Sequence, residues 1–369
     1  AGARVRLYER TAIAAGASGR NSGILQHPFD AVLARLYLAS LVEYRALAAE
    51  DPAFSLPDRP VGLLYLGREP ETARLEAAAW SAAWPATRPE VVAEAELARL
   101  EPALARELVA CRLEIGFPVE PAAATQAFAA AAARRGVETH IAHARPALVS
   151  GRAVGVHVGD RIEPAGAVLV ATGPWTPEVV DPRGSWRPIR SIWGVVASLA
   201  LAAAPSHALE AAAIEIEPGS SATPEAPDPS KPAEPVDADV DFSLVPAAGS
   251  SALGSTFLAR EPEPGMWLPA LRRVGAAYVP AVADAPLVGL RHCARPVSLD
   301  GRPILGAIAG IAGLFVAAGH GPWGISTGPG SARLIADLIL GPSEAETLPS
   351  ELSPARFGPV QRQESGSNR

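Results

Sequence analysis

Glu9 closes a short apolar run, Gly2-Ala3-Arg4-Val5-Arg6-Leu7-Tyr8-Glu9-Arg10, and a glycine-dense loop follows it, Gly16-Ala17-Ser18-Gly19-Arg20-Asn21-Ser22-Gly23. The run reads as a short buried strand. An acid at the tip of such a strand can accept hydrogen bonds from both ribose hydroxyls of an adenine dinucleotide. Such an acid normally lies about 20 residues after a Gly-x-Gly-x-x-Gly turn. The few residues ahead of Glu9 hold no such turn, the chain starts at Ala1, and its only methionine is Met266. The expectation is a dinucleotide-dependent protein whose phosphate-gripping first half lies outside this chain.

Two further blocks follow the same physical logic: Val168-Leu169-Val170-Ala171-Thr172-Gly173-Pro174-Trp175 and Leu314 through Ser326. In each, an apolar strand runs into small residues that let backbone N–H groups approach a bound cofactor. One such block is an ordinary turn. Three of them, separated by long insertions, predict one cofactor domain assembled from distant segments.

The elements that must position these blocks are legible in outline. Leu33, Leu36, Tyr37, Leu41, Tyr44 and Leu47 recur at helical spacing and predict a helix over 29–50. A strand at 61–66, helices near 70–84 and 93–110, and an Ala-rich helix ending at Arg134-Arg135-Gly136 come next. Strands are expected near 137–141, 147–150, 153–158, 168–173, 187–199, 285–290, 302–308 and 314–318. Helices are expected near 265–277 and 328–340. Six prolines fall within 217–241 among Ser, Ala and acids, which predicts a mobile loop that resumes regular structure at Phe242. The polar tail, 343–369, is expected to be flexible.

Composition narrows the class. The chain has 369 residues, 49% hydrophobic and 19% charged, enough for two lobes with sizeable cores. A net charge of -7 disfavours a nucleic-acid partner. Apolar stretches are Ala-rich or interrupted by Gly and Pro, so no transmembrane segment is expected. Cys111 and Cys293 make neither a disulfide framework nor a zinc pattern, which with no visible leader points to the cytoplasm. Lys231 is the sole lysine and sits in the proline-rich stretch, so lysine chemistry elsewhere is excluded.

Glu9-Arg10 with the 16–23 loop, Val170 through Trp175, Arg295-Pro296-Val297-Ser298-Leu299-Asp300-Gly301-Arg302-Pro303-Ile304-Leu305-Gly306, and Ala318-Gly319-His320-Gly321-Pro322-Trp323-Gly324-Ile325 occur in this order. Together they resemble the FAD-dependent amine oxidoreductases that include D-amino-acid oxidase, glycine oxidase and sarcosine oxidase. The resemblance runs from Arg4 to Gly341. It implies an α/β fold: a split Rossmann-like FAD-binding domain (1–26, 118–186 and 286–342) lacking its first strand and glycine turn, plus a mixed-sheet α+β substrate domain (27–117 and 187–285).

The resemblance also implies roles. Glu9 should hold the adenosine ribose, and Ser18, Gly19, Arg20, Asn21 and Ser22 should lie along the pyrophosphate toward the flavin, Arg20 supplying positive charge; Arg10, Gly16, Ala17 and Gly23 belong to the same cofactor-binding set. Thr172, Gly173 and Trp175 should close over the adenine half. Gly319, His320, Gly321, Pro322, Trp323, Gly324, Ile325 and Ser326 should present backbone N–H groups and a helix start to the flavin. Arg295 should bind the substrate carboxylate, with Arg291 as a competitor for that role. His320 or His27 would polarise or deprotonate the amine. Cys293 stands where some sarcosine oxidases attach FAD covalently, and a buried core thiol is the other reading of it.

The implied reaction is oxidation of a small amino acid or N-methylated amine, a carboxylate-bearing substrate, to an imine by hydride transfer to flavin. Oxygen or another acceptor then takes the electrons. The lysine that sarcosine-type oxidases use for oxygen activation has no counterpart beside the flavin motifs. Three rivals stay open: the same machinery acting on a 2-hydroxy acid, a non-catalytic or flavin-free remnant, and a nicotinamide dehydrogenase.

Overall fold

The computed structural model describes residues 2–211, 235–341 and 348–360. Its largest element is an eight-stranded mixed sheet. Across the sheet the strands run Leu287–Ser298, Ile189–Leu199, Ser250–Thr256, Val240–Ala247, Ala208–Ala211, Leu63–Gly67, Val109–Leu113 and Glu90–Val92. Alternation along each strand sends successive side chains to opposite faces. On one face Val195, Leu209, Leu244 and Leu253 pack with Trp267 and Leu271 of the Pro264–Ala276 helix. On the other, Leu63, Cys111, Val196, Ala208 and Val245 cluster with Ile24, which follows the glycine loop.

The remaining strands form smaller sheets. Arg6–Glu9 pairs in parallel with Glu138–Ile141, and Val168–Val170 pairs in parallel with Leu314–Ala318. Ile304–Ala307 lies antiparallel to the latter. The Ala31–Glu50 helix is capped by Asp30, whose carboxylate accepts from the N–H groups of Val32 (2.8 Å) and Leu33 (3.0 Å) and also pairs with Arg302 (2.7 Å). It packs against the last helix, Gly324–Leu340, so closely that Gly330 rests on the Leu36 carbonyl and leaves no room for a side chain.

Several expectations need correcting. The Arg6–Glu9 strand is not buried: it has one partner strand, and Val5 and Leu7 stay 45% and 40% exposed. Leu169 in the 168–170 strand is likewise 41% exposed. The helix expected over 93–110 stops at Leu100, and Val109–Leu113 is a strand because it pairs antiparallel with Leu63–Gly67. Leu287–Ser298 is one twelve-residue strand pairing along its length with Ile189–Leu199. It therefore belongs to the large sheet.

Of the proline-rich stretch, 217–234 lies outside the described residues. Its end is ordered as a short turn, Asp237–Asp239, and the next strand begins at Val240 rather than Phe242. The tail is only partly as expected, with 343–347 and 361–369 outside the described residues. Between them Leu352 is 1% exposed, and Arg356 grips Asp300 at 2.6 Å. No described helix is long and apolar enough to cross a membrane.

Candidate active site

The parallel strands ending at Glu9, Val170 and Ala318 each hand over to a turn of small residues. The guanidinium of Arg10 lies over the Trp175 ring, 4.7 Å from its centroid, which brings the first two blocks together. Glu9 accepts at one carboxylate oxygen from the Thr11 N–H (3.0 Å) and hydroxyl (3.2 Å). Thr172 shares a hydrogen bond with Thr176 (3.2 Å), and Gly173 takes φ +57° with open space where a side chain would stand. Gly319 (φ +79°) and Gly321 (φ +55°) turn the chain into the Gly321-Pro322-Trp323 turn and the last helix. That helix starts at Gly324 with no side-chain cap and no acid in its first turn. Its first N–H groups are thus aimed, uncapped, at whatever lies before them, a setting that favours an anionic group.

The glycine loop folds as a four-residue helix, Ala17–Arg20. Gly19 is buried against Ala14, and Gly23 (φ +86°) against the Val119 carbonyl, so both are required by close packing. Asn21 donates to the carbonyls of Ala17 and Ser18 (3.0 Å each) and accepts from the Gly23 N–H (2.9 Å), locking the loop. Gly16, Ser18 and Arg20 are left exposed on it.

Arg291, Cys293 and Arg295 alternate along one strand, so all three reach the face of the large sheet opposite the Trp267 helix. Arg291 is a strut: it donates to the Asn21 carbonyl (3.0 and 3.1 Å) and to the Ser198 hydroxyl (2.7 Å), tying the glycine loop to the sheet. Arg295 lays its guanidinium on the bare α-carbon of Gly194 and over the Phe257 ring (4.4 Å). It donates to the Thr256 carbonyl (2.8 Å) and Ser255 hydroxyl (3.0 Å). Among the described residues no carboxylate lies within ion-pair distance of it. Burial holds its pKa below the usual arginine value, with Cys293 and Asp241 acting the other way. Cys293 is 7% exposed, and burial raises its thiol pKa against the opposing pull of Arg295, Arg291 and Arg20.

The two histidines differ. The Ser331 hydroxyl donates to the Thr327 carbonyl (2.9 Å), so it accepts from His320 Nε2–H (3.0 Å). Burial pulls the His320 pKa down to about 4, so the ring is a neutral brace between the turn and the last helix. His27 sits among Phe29, Tyr37 and Trp84, and its buried Nδ1 has no partner. Burial lowers its pKa as well.

Sequence reading passed over four polar residues here. The Gln26 side chain donates to Glu210 (3.2 Å) and Tyr65 (3.3 Å), while its backbone N–H donates to the Ser326 hydroxyl (2.9 Å). Burial raises the Glu210 pKa to about 6, opposed by the bonds from Gln26 and Tyr65. Glu76 is 3% exposed, neither of its carboxylate oxygens has a partner, and burial lifts its pKa to about 7. The available signal was strand alternation: an acid between Leu209 and Ala211 must face away from the apolar side that both of them line.

The model of the family described as DAO, FAD dependent oxidoreductase, matches residues 1–338. The chain belongs to this family. Its DAO fold is similar to that of iminodiacetate oxidase from Chelativorans, with TM-score 0.76 and 21% identity over 96% of this chain and 93% of that one. It is equally similar to glycine oxidase from Bacillus cereus, with TM-score 0.77 and 20% identity over 95% and 92%. At such identities the likeness is one of fold. A D-amino acid dehydrogenase from Rhizobium rhizogenes is 47% identical over 64 residues, which span 17% of this chain and only 15% of that protein. The site fits the DAO cofactor: glycine turns after Val170 and Ala318, an uncapped helix start and an acid at the first strand's tip are features that suit an anionic dinucleotide such as FAD.

Proposed function

We propose that this protein oxidises a small carboxylate-bearing amine, an amino acid or an N-substituted one, to its imine. The observation that carries the reading is Arg295, a buried guanidinium without a carboxylate partner among the described residues, on the face that Arg291 ties to the glycine loop. Two of its N–H groups are committed to Thr256 and Ser255, and the rest of the planar fork is free to take a carboxylate. The names of the fold neighbours, oxidases of glycine and iminodiacetate, support the same substrate class.

Glu9 would hold the adenosine ribose, Ser18 through Ser22 the pyrophosphate, and Gly319 through Ser326 the flavin. When bound, FAD supplies the two-electron acceptance that turns the amine into the imine. The chain's own part is orientation. Arg295 fixes the carboxylate and so aims the α-carbon, and a fixed geometry lowers the barrier without any covalent step by the protein. The substrate nitrogen reacts as the neutral amine and gives up its proton, and water then hydrolyses the product imine. His27, whose buried Nδ1 has no hydrogen-bond partner, is our candidate to take that proton, and His320 braces the turn through Ser331. FAD is held without a bond to Cys293, whose thiol is buried and raised in pKa. Anaerobic bleaching of the FAD-loaded protein by amino acids tests the reading: bleaching by amines and none by 2-hydroxy acids is expected, and the reverse pattern overturns it.

A further inference from the structure

Glu210 lies on the same face of the large sheet as Arg295, and the strand order sets the distance between them. The Arg295 guanidinium lies on Gly194 of the Ile189–Leu199 strand and reaches the neighbouring Ser250–Thr256 strand, where the Ser255 hydroxyl and the Thr256 carbonyl accept its hydrogen bonds. The Val240–Ala247 strand comes next and the Ala208–Ala211 strand after it. Glu210 is in register with Ser243, and Ser243 with Gly254, next to Ser255. Between two and three strand spacings therefore separate the charges, about 10 to 14 Å. A saturated chain of roughly five or six carbons, with an ion-pair contact at each end, spans the longer part of that range.

The carboxylate is directed at the site. Gln26 bridges it to the last helix, donating to Glu210 with its side chain and to Ser326 with its backbone. Tyr65 stands beside Glu210 on the next strand, and beyond it Glu76 points two buried, unpartnered carboxylate oxygens into the same region. Asp241 adds negative charge between the two ends, acting on both Glu210 and Arg295. Half-buried aromatic rings complete this end: Trp80 lies 4.7 Å from Tyr65 and stacks on Phe29 at 5.2 Å. Carboxylates beside aromatic faces favour a cation. The face thus has a positive end at Arg295 and a negative end at Glu210.

Resting on the proposed amine oxidation, we infer that Glu210 determines specificity by pairing with a second, distal cationic nitrogen of the substrate, so that the preferred substrates are amino acids with a positively charged side chain or N-substituent. Arg295 takes the α-carboxylate, and Glu210 takes the cation a chain-length away.

Binding of 6-aminohexanoate and hexanoate to the FAD-loaded protein, measured by calorimetry, tests this apart from turnover. The expected result is about tenfold tighter binding of 6-aminohexanoate, with the preference lost in Glu210→Gln and hexanoate affinity unchanged. In turnover, kcat/KM for lysine over norleucine should fall by a similar factor in the variant. Equal binding of the two probes to the native protein overturns the inference, and that arm needs no variant to fold. So does a preference that survives in Glu210→Gln, or an equal loss for both probes. Binding of neither probe, with amines still bleaching the flavin, overturns it while leaving amine oxidation intact. Absence of any bleaching is the separate failure of the amine reading.

Discussion

The Arg295 guanidinium lies on Gly194, and a methyl group at 194 would stand where the guanidinium is. Glycine is needed there for space, on the neighbouring strand, where Gly194 pairs with Cys293 two positions along from Arg295's own partner, Ile192. Gly194→Ala should push the guanidinium off Thr256 and Ser255. We expect KM for carboxylate-bearing amines to rise roughly 10- to 100-fold, as misplacement of a positioning group does. FAD content should stay unchanged, and both are read from steady-state kinetics and the flavin spectrum.

His320 predicts an acid-side stability slope. Its folded pKa of about 4 lies below the unfolded value of 6.5, so the unfolded chain binds more protons between them. Its contribution is present above pH 6.5 and is lost as pH falls toward 4. The ring is half-buried, so we discount the full shift to of order 2 kcal/mol. His320→Gln, followed by denaturant unfolding from pH 7 to 4, should show a flatter slope than the native protein.

Glu76 works in the opposite sense. A folded pKa of about 7 against 4.5 means that the folded state binds the extra proton, so stability is present below pH 4.5 and lost as pH rises through 7. Glu76→Gln removes that loss. Relative to the native protein it should gain up to about 3 kcal/mol at pH 8 over its difference at pH 4. Thermal unfolding at the two pH values checks the sign.

Acid precipitation tests the state of Cys293. With the thiol 7% exposed and its pKa raised, the yellow colour should pass into the supernatant. Colour retained in the pellet, and released by Cys293→Ser, would establish a covalent link instead.

The strand-to-glycine turns at 168–175 and 314–326 were legible because composition and local order carry them. So was the helix over 31–50, whose buried stripe repeats at helical spacing. The Val109–Leu113 strand was not, since Leu108-Val109-Ala110-Cys111 is apolar at either period and only its pairing with Leu63–Gly67 decides. The Glu210–Gln26 bond joins residues 184 apart in sequence, and Arg291 reaches a carbonyl 270 residues away. Both roles follow from sheet order, which local pattern does not encode. Arg295 and Arg291 could be proposed from the strand, but their division of labour came from the partners each one meets.

The central claim is that Arg295 holds the carboxylate of an amine substrate. The most direct measurement is anaerobic stopped-flow bleaching of the FAD-loaded protein by an amino acid and by the matching decarboxylated amine, in the native protein and in Arg295→Gln. The native protein should favour the amino acid, and Arg295→Gln should lose at least about 100-fold of that preference at unchanged FAD content. An unchanged preference in Arg295→Gln would contradict the account.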